Sequence, residues 1–262
     1  MSDADCSLHV DIQGDVAHVR FNRPAVRNAF DDAVAAEIVE VFGALAARDD
    51  LRAVVLGGEG EIFCAGGDLN WMKRVAAYTR QENLEDAAAF QAAFEAVETC
   101  PLPVVARVQG AALGGGGGLV AVSDIAVAAE GTVFGFPEAR LGLVPGVISP
   151  YVLRKLGMSR TRHLFLTGER FDAAEAHRIG LVHVVVPADE LDDAVARVLK
   201  NLKACAPQAI AGGKVLLRKL QDADTDTAQA LARDAITDAR ASEDGREGLS
   251  AFLEKRKPGW LA

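Results

Sequence analysis

What this chain has little of narrows the field first. Its four cysteines, Cys6, Cys64, Cys100 and Cys205, stand far apart, and no C-x-x-C pair occurs. That spacing argues against a disulfide framework or a cysteine-built zinc site and suits a reducing compartment, so the expected location is the cytoplasm. The five histidines, His9, His18, His163, His177 and His183, show no metal-ligand spacing, and no metal is expected. Basic charge is in deficit: 28 Lys and Arg against 37 Asp and Glu leave a net charge of -9. Nucleic acids and anionic membranes reward a basic face, so neither is an expected partner. Long apolar runs are missing too. The longest, at 111–122, is too short and too rich in glycine to span a bilayer, and the opening MSDADCSLHV lacks the basic-then-apolar order of a secretory leader.

What is present fits one large domain. Half of the 262 residues are hydrophobic, enough for a sizeable core. Leu8, Val10 and Ile12 alternate with polar residues, Gly14-Asp15 makes a turn, and the alternation resumes from Val16 to Phe21, which predicts a hairpin. Asp31 is an N-cap for a helix whose stripe is Val34, Ile38, Val41 and Leu45. Short apolar strands are expected at 53–56, broken by Gly57, Gly58 and Gly60, and at 104–108, 124–128 and 132–134. A helix over 84–97 lies between the first two. Such alternation predicts βαβ units around a mostly parallel, buried sheet. Beyond Pro150 the chain reads as mainly helical apart from 182–186, with helical segments after Asp189, Pro207 and Thr225. The expected organisation is an α/β core over 1–200 and a C-terminal helical module over 201–262.

Three loops carry candidate chemistry. The first, Phe63-Cys64-Ala65-Gly66-Gly67-Asp68-Leu69, leaves a strand and enters a helix. Its small residues allow close approach of a ligand to backbone N–H groups, although taken alone a tight strand-to-helix turn with Asp68 as a cap is the plainer explanation. The second holds five of the chain's 25 glycines in one unbroken run at 114–118. Each costs about 0.8–1 kcal/mol in a helix relative to Ala, so either the backbone serves a ligand or another element packs very close. A dinucleotide fingerprint fails because Leu119 occupies the place of the third glycine, and a phosphate-binding Gly-Lys-Ser/Thr is missing. The third, running from Phe134 to Gly146, embeds Glu138 among Phe134, Phe136, Leu141 and Leu143. A carboxyl in apolar surroundings is biased towards its neutral form, which suits proton transfer near neutrality; a surface Glu capping the next turn is the plainer alternative.

Taken together, in this order and spacing, these loops resemble the enoyl-CoA hydratase/isomerase (crotonase) superfamily. Asn22-Arg23-Pro24 with Asn28-Ala29 resembles its N-terminal signature, Phe63 to Asp68 its first oxyanion loop, and Ala112-Leu113-Gly114-Gly115-Gly116 its second. Leu166-Thr167-Gly168, Ala173-x-Glu175-Ala176, Gly180-Leu181-Val182 and Phe252-Leu253-Glu254-Lys255-Arg256-Lys257-Pro258 resemble later stretches, so the likeness spans nearly the whole chain. It implies the ClpP/crotonase-like fold: an α/β spiral core of ββα units with a C-terminal helical trimerisation module. It also implies an acyl-CoA substrate, with CoA as part of the substrate and no separate cofactor. The N–H groups of Gly67 and Gly115 would hold the thioester oxygen as an enolate forms, and Glu138 would be the acid/base. Arg23, Ala25, Val26, Ala65, Asp68, Leu69 and Gly114 would line the substrate path. Phe252 and Lys255 would help to hold the CoA of a neighbouring subunit in a homotrimer or homohexamer.

The chain departs from the family at one place. Many relatives carry two glutamates, and the position of the first is Gly118, twenty residues before Glu138. Two catalytic readings follow. In the first, Glu138 hydrates a 2-enoyl-CoA. The stretches 68–72 and 145–150 resemble bacterial methylglutaconyl-CoA and isohexenylglutaconyl-CoA hydratases, which implies a branched substrate with a distal carboxylate and makes Lys73, Arg74 and Arg154 candidate cations. In the second, Glu138 shuttles one proton between carbons, as a Δ3,Δ2-enoyl-CoA isomerase. A non-catalytic acyl-CoA or RNA binder is a third alternative, against which the net charge weighs in the case of RNA. Ser149 and His163 suggest no serine-protease constellation.

Overall fold

The opening hairpin forms where its alternation predicts. In the computed structural model, which describes residues 6–261, β1 (Leu8–Gln13) and β2 (Val16–Phe21) pair antiparallel around Gly14 at φ +63°. Met1 to Asp5, read above as no leader, and Ala262 lie outside the described residues. Helix α1 (Asp32–Ala46) starts at the expected cap, where the Asp31 carboxylate accepts the Val34 N–H at 2.9 Å, and it buries Val34, Ile38, Phe42 and Leu45.

The sheet then builds outwards. Strand β3 (Ala53–Gly58) lies parallel to β2, and after helices α2 (Leu69–Val75) and α3 (Arg80–Thr99) the chain returns as β4 (Val104–Val108). A short strand β5 (Ala111–Leu113) leads into α4 (Gly115–Val122), followed by β6 (Ile125–Ala129) and β7 (Val133–Gly135). Then come α5 (Ser149–Thr167), β8 (Arg170–Asp172), α6 (Ala173–Arg178), β9 (Val184–Val186) and α7 (Leu191–Lys203). The six-stranded sheet has the order β1-β2-β3-β4-β6-β9, parallel from β2 onwards, and a second sheet has the order β5-β7-β8.

Both faces of the larger sheet are covered. Val54, Leu56 and Ala106 belong to the cluster that contains α1 and α3, whereas Val16, Val55, Val105 and Val127 pack with Leu191, Ala194 and Val195 of α7. Double burial explains why these strands read as continuous apolar runs.

Three expectations need correction. Strand β3 continues through Gly57 and Gly58 instead of breaking there. Gly58 answers a close approach: a Cβ on it would lie 2.6 Å from the Phe63 carbonyl oxygen and 2.7 Å from Asn28 Nδ2. Helix α3 starts four residues early, because Thr79 and Glu82 form a reciprocal capping box in a stretch without an apolar stripe. Beyond Pro150 the sequence predicts one break from helix, at 182–186, whereas the structure has two short strands, β8 and β9, the latter spanning only Val184–Val186.

Beyond α7 the character changes. Helices α8 (Pro207–Leu220) and α9 (Thr225–Ala241) bury no residue, and α10 (Glu243–Leu253) buries only Ala251. Lys214 ties this group to the core through Asp124 at 2.5 Å and the Leu102 carbonyl at 3.0 Å.

Candidate active site

Register, set by the second sheet, brings the three loops together. Cys64 pairs with Ala112 as a parallel bridge: its N–H donates to the Ala111 carbonyl at 3.0 Å, and its carbonyl accepts from Leu113 at 3.1 Å. On its other side β5 pairs in parallel with β7, Ala112 opposite Phe134. Three segments therefore run side by side in one direction and end together, at Gly67, Gly115 and Glu138. A Cβ on Gly114 would lie 3.1 Å from Glu138 Oε1 and 3.9 Å from the Gly66 Cα, which measures how closely they converge. Gly66 at φ +101° and Gly114 at φ +52° take conformations that side chains disfavour.

Both expected donors are available. Gly67 faces Phe30 in a parallel bridge whose bonds are Phe30 N–H to the Gly66 carbonyl at 2.8 Å and Asp68 N–H to the Phe30 carbonyl at 2.9 Å. Such a pattern spends the neighbours' groups and turns the N–H of Gly67 away from Phe30. Gly115 is the first residue of α4, and its N–H is among those a helix leaves unpaired. The first loop is held by Asp68, whose carboxylate caps α2 by accepting from Asn70 at 2.7 Å and Trp71 at 3.2 Å. Arg23 clamps it from behind, with one nitrogen 3.1 Å from Asp68 and another 2.9 Å from Asp31. Burial would raise the Asp68 carboxyl, but the Trp71 and Asn70 amides and the Arg23 guanidinium outweigh it and hold it below the ordinary range.

Glu138 stands in a single 3-10 turn, Pro137–Leu141, opened by Pro137. Its Oε2 is buried without a hydrogen-bond partner among the described residues. Burial pushes its carboxyl above the ordinary range, against a weaker pull from its own backbone amide. Burial favours the neutral form of such an acid, and one of its oxygens is uncommitted.

The rest of the glycine run has a different cause, close packing. A Cβ on Gly116 would lie 2.7 Å from the Cys64 carbonyl oxygen, and one on Gly117 would lie 2.8 Å from Phe136 Cε1. At Gly118 it would lie 2.4 Å from Ile148 Cγ2 and 2.9 Å from Phe94 Cε1. The place where many relatives keep a carboxylate is thus filled by hydrocarbon. Ile148 and Phe94 escaped the sequence reading, since nothing in sequence joins 94, 118 and 148. Cys64, wedged between the two glycine loops, is a buried thiol pushed up to about 11, so it stays neutral.

The remaining residues divide into two groups. Ala25 and Val26 lie exposed on the 3-10 turn Pro24–Val26, Ala65 is half-buried in the first loop, and Leu69 is 73% exposed at the start of α2. Phe252, near the end of α10, and Lys255, just beyond it, are exposed, and α10 packs on α8 and α9. Arg74 is paired with Asp32 at 2.5 Å, and Arg154 is paired with Glu98 and stacks over Tyr151, whereas Lys73 is exposed and has no ion pair among the described residues. The Ser149 hydroxyl donates to the Pro145 carbonyl and the His163 ring faces Glu169, so the two form no dyad. One cavity of about 690 Å³ lies on the α7 face of the large sheet, among His18, Arg20, Arg107 and Asp192, and contains none of these site groups. No described helix is long and apolar enough to cross a membrane.

Comparison with known proteins identifies the fold and the family. An enoyl-CoA hydratase from Shewanella pealeana superposes with a TM-score of 0.94 at 37% identity, covering 97% of this chain and 96% of that one. The short-chain-enoyl-CoA hydratase of Clostridium acetobutylicum is 34% identical over 247 residues, 94% of each chain. The 2,3-dehydroadipyl-CoA hydratase of Escherichia coli is 34% identical over 254 residues, 96% of this chain and 97% of that one. The family described as Enoyl-CoA hydratase/isomerase matches residues 11–262. With its α/β crotonase fold and converging glycine loops, the chain belongs to the enoyl-CoA hydratase/isomerase family.

Proposed function

We propose that the chain hydrates a 2-enoyl-CoA thioester with Glu138 as the sole protein acid/base. The observation that carries this is the Glu138 carboxyl: desolvated, with one oxygen unpartnered, and beside the turn that presents Gly115. In this reading the thioester oxygen lies between the N–H groups of Gly67 and Gly115. Ionised Glu138 takes a proton from water as the hydroxide bonds to the β-carbon. The displaced double-bond electrons move onto the thioester oxygen as an enolate, which the two donors stabilise. Glu138 then returns its proton to the α-carbon, so one water is added and the carboxylate is regenerated. Each donor of this kind contributes on the order of 3 kcal/mol to lowering the barrier.

A second reading is favoured by one observation, the filling of the Gly118 position by Ile148 and Phe94. A Δ3,Δ2-isomerase needs no second carboxylate: Glu138 takes a proton from the α-carbon of a 3-enoyl-CoA and delivers it to the γ-carbon. Offering crotonyl-CoA, methylglutaconyl-CoA and a 3-enoyl-CoA separately distinguishes the two. Full turnover by Glu138→Gln on all three would refute both.

The finer parts of the reading follow. CoA enters as part of the substrate, along the segment from Arg23 to Val26 and past Ala65 and Leu69, and the reaction runs in the cytoplasm. A branched acyl chain with a distal carboxylate calls for a cation, and Lys73 is the candidate that no carboxylate engages among the described residues. Phe252 and Lys255 serve a neighbouring subunit's CoA in a trimer or hexamer, which is supported by their exposure and by how little the α8–α10 module buries. We place that module at 201–262, after the core.

A further inference from the structure

We infer that Ile148, backed by Phe94, sets the size of the substituent that the substrate's β-carbon can carry. The inference rests on the reading of Glu138 as the acid/base. Gly114 caps α4 and Gly118 lies one turn further on, with the Gly118 N–H donating to the Gly114 carbonyl at 3.0 Å, so the two positions are neighbours along the helix start. Glu138 Oε1 sits over the first of them, and Ile148 Cγ2 with Phe94 Cε1 over the second. The separation along the axis is about 6 Å. With the α-carbon in contact with Glu138, a β-carbon that extends along α4 meets Ile148.

That wall is solid. Ile148 is 4% exposed and Phe94 is 1% exposed, and Phe94 packs at 5.8 Å between the ring centroids of Phe30 on one side and of Tyr151 on the other. It is also wholly apolar, so it offers a β-substituent dispersion contact and no hydrogen bond. Ile148 is the member to vary, since it is the last residue before α5, whereas Phe94 packs against two rings.

The experiment compares two thioesters that differ only in a β-hydrogen or a β-ethyl group. Both kcat/KM, in whichever reaction the wild type performs, and Kd by calorimetry are measured for wild type, Ile148→Val and Ile148→Ala. The β-ethyl to β-hydrogen ratio is expected to rise at least about 10-fold in Ile148→Ala and by less in Ile148→Val, the usual worth of a methylene or two in an apolar pocket. An unchanged ratio in a folded variant overturns the inference. If Ile148→Ala does not fold, the Ile148→Val ratio decides alone. Glu138→Gln run in parallel separates the two failures: loss of turnover there upholds the acid/base reading whatever the Ile148 ratios show.

Discussion

Glu138 shows how a site residue trades stability for chemistry. Because burial raises its carboxyl in the folded state, the ionised form costs stability above the unfolded value, and that cost disappears as pH falls below it. Glu138→Gln removes the charge and keeps the shape. We expect turnover to fall at least 100-fold while the melting temperature at pH 7 rises by about 2 °C, with the gap between the two proteins closing towards pH 4. Enzyme assays and scanning calorimetry over that range measure both; a melting temperature that falls at pH 7 would contradict the sign. Gly115 offers the complementary test. A Cβ there would meet nothing nearer than Phe30 and Phe94 at 3.9 Å, and the first helical position tolerates proline. Gly115→Pro therefore removes one N–H while sparing the helix, and kcat should drop about 100-fold or more with Gly115→Ala, which keeps the N–H, close to wild type. At this scale the sequence was legible where a residue's role depends on its own chain segment. Glu138 stood out as an acid among aromatic and aliphatic neighbours, and Asp31 and Asp68 as caps. Gly118 did not reveal what replaced its carboxylate, because the answer sits on two distant elements.

Elements place these residues through caps and registers. Arg23 joins the caps of α1 and α2, so one guanidinium fixes the two helices that flank the loop bearing Gly67. Arg23→Ala leaves two largely buried carboxylates without their cation, and should cost about 2 kcal/mol. The loss of positioning should appear in kcat more than in KM, and denaturant titration with steady-state kinetics separates the two effects. The Asp68 carboxyl, held low in the folded state, adds stability above its unfolded value that is lost as pH falls through its folded value, so Asp68→Asn should blunt acid sensitivity. Periodicity disclosed the hairpin, α1 and β4, whose apolar patterns are local. It failed for α3, whose start is fixed by a cap and whose face is mixed, and for β3, whose terminal glycines answer neighbours across the sheet. The pairing of Cys64 with Ala112 and of Ala112 with Phe134 is a matter of register between segments far apart in sequence, which no local pattern encodes.

At the scale of the molecule, surface area exceeds what a folded monomer of this size exposes. The chain exposes 13888 Å², whereas a folded monomer of 27.6 kDa is expected to expose about 11,000 Å². The excess has a visible source, because α8 and α9 bury nothing of their own while presenting Leu217, Ile236 and other apolar side chains to solvent. Helices α9 and α10 are capped by Asp224 and Ser242, residues of the module itself. Apolar surface on this scale is what an interface between copies would bury. Phe252 and Leu253, 80% and 77% exposed, head that surface at the end of α10. Replacing both with Asp should leave the monomer's fold intact, since neither side chain packs on the core. Where the wild type scatters light as an assembly, the double variant should scatter as single chains. If those chains keep full turnover with CoA thioesters, the module serves assembly alone; if KM rises with kcat preserved, it also holds the CoA of its neighbour. A wild-type protein that scatters as a monomer at micromolar concentration would remove the interface from the account and leave the exposed apolar surface to some other partner.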